Sequence, residues 1–428
     1  MIKAVTGTKD ILPSEINRWY YLENIVKEVF INFNYKEIRT PVFEETALFA
    51  RGIGEETDIV SKEMYTFLDR SETSITLKPE MTAAVVRAYI EHSLGTLQPL
   101  NKLFYISPMF RQERPQAGRF RQFHQFGAEA IGSTSPLLDA EMIEMSYNIF
   151  KRLGLKDLVV KINSLGVPQS REEYKNKLRE FLSDKKDMLT EESRKRFDKN
   201  ILRIFDSKIE SDQKIMKDAP LLIDYLDEES KNDFDTVKEY LTKVGIPFVV
   251  DSALVRGLDY YTKTTFEVIS NKVGSQSALC GGGRYDLLIE ELGGKPTPGV
   301  GFAAGMERIL LACENENSFA LSAPSIDVYL VKLQPGPETA LSAGKLELEL
   351  SRIASELRSN NISSDYDYIG RSMKAQMREA NKLNAKYVLF IGGDEYSRGE
   401  LLLKNLADGQ QKTFSKDDIN RIISEVRQ

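Results

Sequence analysis

The stretch Phe110–Glu129, FRQERPQAGRFRQFHQFGAE, decides the reading of this chain. It sets Arg111, Arg114, Arg119 and Arg121 around a Pro/Gly turn and then runs into a strand. Alternate residues of a strand share a face. One face carries Gln125, Gly127 and Glu129, which supply an amide, a bare backbone and a carboxylate. The other carries His124, Phe126, Ala128 and Ala130 and is largely apolar. Guanidinium groups suit paired hydrogen bonds to phosphate and carboxylate. The hairpin therefore suits a ligand that combines phosphate, carboxylate and amine. For any one of these arginines alone, a solvated surface position is the plainer account.

The bulk numbers bound the rest. A chain of 428 residues is too long for one ordinary core, so two or three domains are expected. A hydrophobic content of 41% with 29% charged residues fits a globular protein. No apolar run reaches the roughly 18 residues that a membrane span needs. The N-terminal segment MIKAVTGTKDILPSE has no apolar signal core, and the two cysteines, Cys280 and Cys313, make no disulfide framework. Both features point to a cytoplasmic protein. Only His92 and His124 are histidines, so no metal site is expected, and His124 reads as a packed or hydrogen-bonded strand residue. A net charge of −6 argues against general DNA coating and leaves room for a folded RNA met by local basic patches.

Outward from the hairpin, residues 15–31 predict a long helix with Trp19, Leu22, Val26 and Val29 at helical spacing. YKEIRTPVFEE follows as a strand interrupted by Pro41, which marks an edge or a boundary. Residues 159–164 predict a strand closing at Gly166. From about 169 to 243 the chain is charged, poor in glycine and helical, a helical insertion in the first domain. Strands return at Phe248–Asp251, Thr264–Ser270, Ala278–Asp286 and Gly299–Ala304, the last leading into a helix from Met306 to Cys313. After a polar linker at 314–325, residues 326–428 alternate strand and helix, a separate small α/β domain. In it Arg371, Lys374, Arg378, Lys382 and Lys386 form a basic helix stripe opposite Met373, Met377, Ala380 and Leu383. The stripe is either a solvated face or a nucleic-acid contact.

Four further patches carry chemistry. In TLKPEMTAAVVRAYIE, residues 76–91, Pro79 is expected to open a helix. Glu80 and Thr82 near that start could hold an ammonium group or simply cap the helix. LVRGLDYYTKTTFEV, residues 254–268, crowds Arg256, Asp259, Tyr260 and Tyr261 before a strand. In ALCGGGRYDLL, residues 278–288, three glycines allow close backbone approach or a flexible turn. In GVGFAAGMERILL, residues 299–311, a strand ends in glycine and Arg308 lies in the first turns of a helix, a position that favours anions.

Together these segments resemble the class II aminoacyl-tRNA synthetases, and more narrowly the histidyl-tRNA synthetases. The FR-x-ER loop leading to RQF-x-Q-x-G-x-E is similar to motif 2. Helix 15–31 with the Pro41 strand matches the order of motif 1, and GFAAGMER matches motif 3. RGLDYY and CGGGRYD resemble the two histidine-specific motifs. One departure stands out: where the family reads RPE-x-T with a glycine common before the threonine, this chain has Lys78 and Met81.

The resemblance implies an α+β fold, a class II antiparallel sheet flanked by helices. It implies a catalytic domain at 1–323 with the insertion at about 169–243, and an α/β anticodon-binding domain at 324–428. It assigns Arg111 and Arg256 to the reacting carboxylate and α-phosphate, as the catalytic pair. Arg119 and Arg308, with Arg111, would hold ATP. Glu80, Met81, Thr82 and Gln125 would surround the α-ammonium of histidine, and Glu129, Tyr260 and Tyr261 its imidazole. Arg371, Lys374 and Arg378 would meet tRNA. ATP enters as a substrate with Mg²⁺ on its phosphates. The implied partners are tRNA(His), L-histidine and a second copy of the chain, with no membrane and no DNA. The rival is a histidine-sensing regulatory subunit of ATP phosphoribosyltransferase, a paralogue that loses the motif arginines and the C-terminal domain. A general RNA-binding protein would explain the basic stripe but not the pocket motifs.

Overall fold

The computed structural model describes residues 1–54, 57, 59–116, 118–255, 260–270, 278–319, 325–333 and 343–427. The chain divides into two compact units, Met1–Ala320 and Leu321–Gln428.

The first unit is built on an eight-stranded sheet. Its order is Lys36–Glu37, Asn101–Phe110, Gln122–Ile131, Gly299–Gly305, Ala278–Arg284, Thr262–Ser270, Leu158–Ser164 and Phe248–Val250. The six inner strands pair antiparallel, and the two edge strands pair parallel to their neighbours. This is the antiparallel sheet flanked by helices that the family resemblance implies. Helices Ile16–Asn32 and Pro136–Arg152 supply much of the apolar cover of one face. Leu22, Val26 and Phe30 pack there with Phe126, Ala128, Ala130 and Phe302, so the apolar side of the hairpin strand is core. The Pro41 segment splits as proline requires. Lys36–Glu37 joins the large sheet, and Phe43–Glu45 joins a separate three-stranded sheet with Ser74–Leu77 and Tyr65–Leu68.

Pro79 does not open the next helix. That helix spans Thr82–Glu91, because the Glu80 carboxylate accepts from the backbone N–H groups of Thr82 (2.8 Å) and Ala83 (2.9 Å) and fixes the start three residues later.

Between Leu158–Ser164 and Phe248–Val250 the chain forms helices Pro168–Ser183, Glu191–Lys199, Glu210–Met216 and Glu228–Lys243. Asp212, in helix Glu210–Met216, is fully buried and ties that helix to the start of Glu191–Lys199. Its carboxylate accepts from Thr190 N (2.9 Å), Thr190 Oγ1 (2.8 Å), Ser193 Oγ (2.6 Å) and Ser207 Oγ (2.7 Å). Burial pushes its pKa up, but the donors from Ser193, Thr190 and Ser207 outweigh burial and bring it down to about 2. A carboxyl depressed in the folded state stabilises above its unfolded pKa, and that contribution is lost as pH falls from about 4 toward 2. Asp212→Asn turns an amide N–H₂ toward these donors. It should destabilise the insertion by roughly 2 kcal/mol. Limited proteolysis within residues 186–216 would report the loosening at neutral pH, and wild-type resistance there would refute the role.

The second unit is an α/β sheet in the order Ser364–Tyr366, Val328–Lys332, Tyr387–Ile391, Glu400–Asn405 and Gln411–Ser415. The first three strands run parallel and the last two antiparallel. Helices Ala343–Ser359, Met373–Lys382 and Ile419–Val426 accompany it. The expected helix start near 337 lies outside the described residues. Edge strand Gln411–Ser415 was not anticipated, since its polar sequence carries no alternation. Among the described residues no helix is long and apolar enough to cross a membrane.

Candidate active site

On the polar side of the hairpin strand lies a cavity of about 270 Å³. Glu80, Met81, Thr82, Arg111, Arg119, Gln125, Tyr260, Tyr261 and Arg308 all line it, from segments far apart in sequence.

Glu129 lies beneath this set, fully buried. Thr82 Oγ1 donates to its Oε1 at 2.8 Å and the Tyr285 hydroxyl donates to its Oε2 at 2.5 Å. Burial pushes this carboxyl up to about 8. The Tyr285 and Thr82 donors pull against that rise, and the neighbouring Glu80 charge adds to it. Glu80 is also raised by burial, against its two backbone donors and the charge of Arg111. Two buried carboxyls thus lie close together here, Glu80 in the cavity wall and Glu129 beneath it, and burial raises both.

The backbone makes room for these groups. A Cβ on Gly301 would sit 1.8 Å from Glu129 Oε2, and one on Gly127 would sit 2.4 Å from the Tyr105 hydroxyl. Tyr105 faces Gly127 across the strand pair. Among the described residues the buried Tyr105 hydroxyl and Gln125 Oε1 have no hydrogen-bond partner. Buried polar atoms without partners mark places a ligand can satisfy. Of the glycine run at 281–283, only Gly281 lines the cavity.

The four hairpin arginines separate. Arg111 donates through Nε to Pro79 O at 2.8 Å and lies over the Phe123 ring, 5.4 Å from its centroid. Arg119 Nη1 pairs with Glu113 at 2.9 Å, and Arg111 Nη1 lies 3.7 Å from the same carboxylate. Arg114 is exposed. Arg121 turns away: its Nη1 donates to Thr6 O at 3.3 Å, and its side chain packs on Gly7. Arg308 donates through Nη1 to Ala278 O at 3.1 Å and through Nε to Gly118 O at 3.4 Å. Its pKa is lowered, by burial first and then by the positive charge of Arg119. Clustered, partly desolvated guanidinium groups favour an incoming anion. His124 is a structural residue, with Nδ1 3.0 Å from Glu307 and its ring edge-on to Trp19.

Comparison with known proteins bears on this arrangement. Residues 7–309 match the family model for histidyl-tRNA synthetase, and residues 327–426 match that for the anticodon binding domain. The chain belongs to the histidyl-tRNA synthetase family. It is 46% identical over 425 residues to the histidine–tRNA ligase of Caldanaerobacter subterraneus subsp. tengcongensis, covering 99% of both chains. It is 49% identical over 411 residues to that of Halothermothrix orenii, covering 96% of both. Among solved structures, the apo histidyl-tRNA synthetase of S. aureus superposes with a TM-score of 0.82 at 38% identity, over 100% of each chain.

Lys78 and Met81, the two positions where the resemblance leads one to expect arginine and glycine, touch one another. Lys78 is fully buried, and its Nζ lies 3.4 Å from Met81 Sδ and 3.3 Å from Thr40 Oγ1. Burial pushes this ammonium down to about 8, with Glu44 and Glu80 opposing the shift and Arg87 adding to it. Lys78 and Met81 therefore pack together near Glu80. Arg256, the other expected catalytic arginine, lies outside the described residues, as does Asp259. In the C-terminal unit Arg371 stands apart from the expected stripe. It pairs with Asp367 and, at 2.9 Å, with Glu379, whereas Lys374 and Arg378 are exposed.

Sequence reasoning gave no role to Tyr105, Glu113 or Tyr285. Tyr105 belongs to a strand face shared with Leu103 and Met109, which reads as core. Tyr285 sits within a recognised motif, but only strand order brings it to Glu129.

Proposed function

We propose that this chain ligates L-histidine to tRNA(His) through histidyl-adenylate. The observation that carries the reading is the single cavity lined by three arginines and built over a buried carboxylate held by Thr82 and Tyr285.

A neutral imidazole presents one N–H donor and one bare nitrogen. The Glu129 carboxylate suits the donor, and the Tyr261 hydroxyl suits the bare nitrogen, with Tyr260 against the ring at 4.7 Å from Tyr261. Glu80, Thr82 and Gln125 suit the α-ammonium, with Met81 beside them. Gln125 Oε1 is an acceptor in want of a donor. In the first step an oxygen of the histidine carboxylate attacks the α-phosphorus of ATP. The bond from that phosphorus to the bridging oxygen breaks, and pyrophosphate leaves. The nucleophile is already an anion, so the step needs no base to remove a proton. Its barrier comes from bringing carboxylate and phosphate together and from charge on the leaving group. Arg111 answers the first demand, together with Arg256. Arg119 and Arg308 hold the remaining phosphates and the nucleotide, and Mg²⁺ enters with the triphosphate. In the second step the terminal ribose hydroxyl of tRNA attacks the acyl carbon, and AMP leaves.

The C-terminal unit would hold the anticodon region. We further propose a cytoplasmic homodimer. Phe43, Phe67 and Leu68 of the small three-stranded sheet, with Val42 just before it, are exposed apolar residues that a second copy would cover. A monomer in sedimentation would remove that part.

The deciding experiment is ATP–pyrophosphate exchange with each of the twenty amino acids in the absence of tRNA. Exchange with histidine alone is expected. No exchange while histidine still binds would favour the regulatory sensor.

A further inference from the structure

The C-terminal unit carries a feature that neither fold nor catalysis needs. Between strand Ser364–Tyr366 and helix Met373–Lys382 the chain holds two large side chains out in water. Tyr368 is 67% exposed and Ile369 is 77% exposed. The loop beneath them is nevertheless fixed. The buried Asp367 carboxylate accepts from both the backbone N–H and the Nε of Arg371, and Arg371 reaches on to Glu379. Gln376, itself 1% exposed, donates to Arg371 O at 2.9 Å and to Lys332 O at 3.2 Å, and accepts from Lys332 N at 2.8 Å. Gly370 takes the left-handed conformation, φ +76°, that the turn requires.

The Tyr368 ring does not stand alone. It lies over Tyr366, with centroids 4.2 Å apart and planes at 33°. The Tyr366 hydroxyl is tied to Ser351 Oγ at 2.6 Å, and its ring packs against the core of this unit. An anchored inner ring thus supports an outer ring with an open face. A rigid display of apolar surface is what a pre-organised contact looks like, because little freedom remains to be lost on binding.

Charge decides the class of partner. The acids of this segment are paired, Asp367 and Glu379 with Arg371 and Asp365 with Arg358 at 3.9 Å. Lys374 and Arg378, one helical turn apart, are exposed and form no ion pair among the described residues. An open aromatic face beside unneutralised cations matches single-stranded nucleic acid, where bases stack and phosphates pair. We infer that Tyr368 stacks an unpaired base of the tRNA anticodon loop, with Ile369 beside it and Lys374 and Arg378 on the adjoining phosphates. Arg371 acts from behind, as the residue that holds the loop. This inference rests on the proposed ligase function and adds the residues that grip the RNA.

The test uses the full chain and a tRNA(His) transcript. Tyr368→Ala should raise KM for tRNA by about ten- to a hundredfold and leave histidine-dependent pyrophosphate exchange unchanged. Tyr368→Phe, which keeps the ring, should bind as the wild type. Lys374→Gln with Arg378→Gln should flatten the salt dependence of tRNA binding by about 1.4 in log–log slope, whereas Tyr368→Ala should leave that slope alone. Transcripts with one abasic anticodon-loop position each should identify the base: its removal weakens binding to the wild type but not to Tyr368→Ala. Wild-type tRNA affinity in both Tyr368→Ala and Ile369→Ser would overturn the inference and leave the face to a protein partner. Absence of exchange in the wild type would instead fail the ligase reading, and direct tRNA binding would still judge Tyr368.

Discussion

Arg111→Ala is expected to slow adenylate formation by about a thousandfold while histidine affinity falls less than tenfold. The expectation follows from how this guanidinium is held. Its Nε is committed to Pro79 O, and Phe123 supports its face, so the outer nitrogens are fixed in direction before any ligand arrives. Both terminal nitrogens can then serve a carboxylate oxygen and a phosphate oxygen at once. That contact becomes strongest as the two anions close on each other, which lowers the barrier rather than tightening ground-state binding. Arg111→Lys should rescue poorly, since an ammonium cannot keep the Pro79 contact and present two further donors in a plane. Arg308→Ala should divide differently, raising KM for ATP more than it lowers kcat, because its guanidinium is spent on Ala278 O and Gly118 O. Single-turnover adenylate formation separates the cases. A normal rate constant with a raised KM for histidine would reduce Arg111 to a binding residue.

The hairpin shows how far sequence reaches and where it stops. Alternation alone divided Gln125, Gly127 and Glu129 from Phe126, Ala128 and Ala130, because a pleated strand leaves no other choice and one face had to be core. The same rule could not rank the arginines. Arg111 and Arg121 look equivalent in the sequence, yet one lines the cavity and the other is tied to the N-terminal segment around Gly7. That difference depends on a contact between residues more than a hundred positions apart. Tyr285 and Tyr105 were hidden for the same reason. Their importance lies in the register that sets Tyr105 against Gly127 and in the strand order that leads Tyr285 to Glu129. The mismatch at Lys78 and Met81 was visible as a departure from a pattern. Only packing shows that the two side chains touch, a buried ammonium against a thioether.

Glu129→Gln should weaken histidine binding by about a hundredfold and also alter the response of the free protein to pH. Glutamine has nearly the same shape, and its amide can still accept from Tyr285, so the fold should survive. It cannot take both the Thr82 and Tyr285 donors and an imidazole N–H as a carboxylate can. β-Thienylalanine, which has no ring N–H, should bind both proteins with similar weakness. The pH effect has a definite sign. In the folded protein the Glu129 pKa is about 8, above its ordinary value of 4.5, so the folded state keeps a proton that the unfolded state gives up. The resulting stabilisation is fully present below about 4.5, declines as pH rises and is gone above about 8, by at most about 1.4 kcal/mol per pH unit. Between pH 6 and 9 the wild-type Tm should therefore fall more steeply than that of Glu129→Gln, which has nothing to titrate at this position. Histidine should reverse part of the fall. An imidazole N–H directed at the carboxylate favours its ionised form, so binding near pH 7.5 should release protons from the wild type and fewer from the variant. Calorimetry in buffers of different ionisation enthalpy reads that release directly. Equal proton release from both proteins would show that the imidazole is bound by some other acceptor.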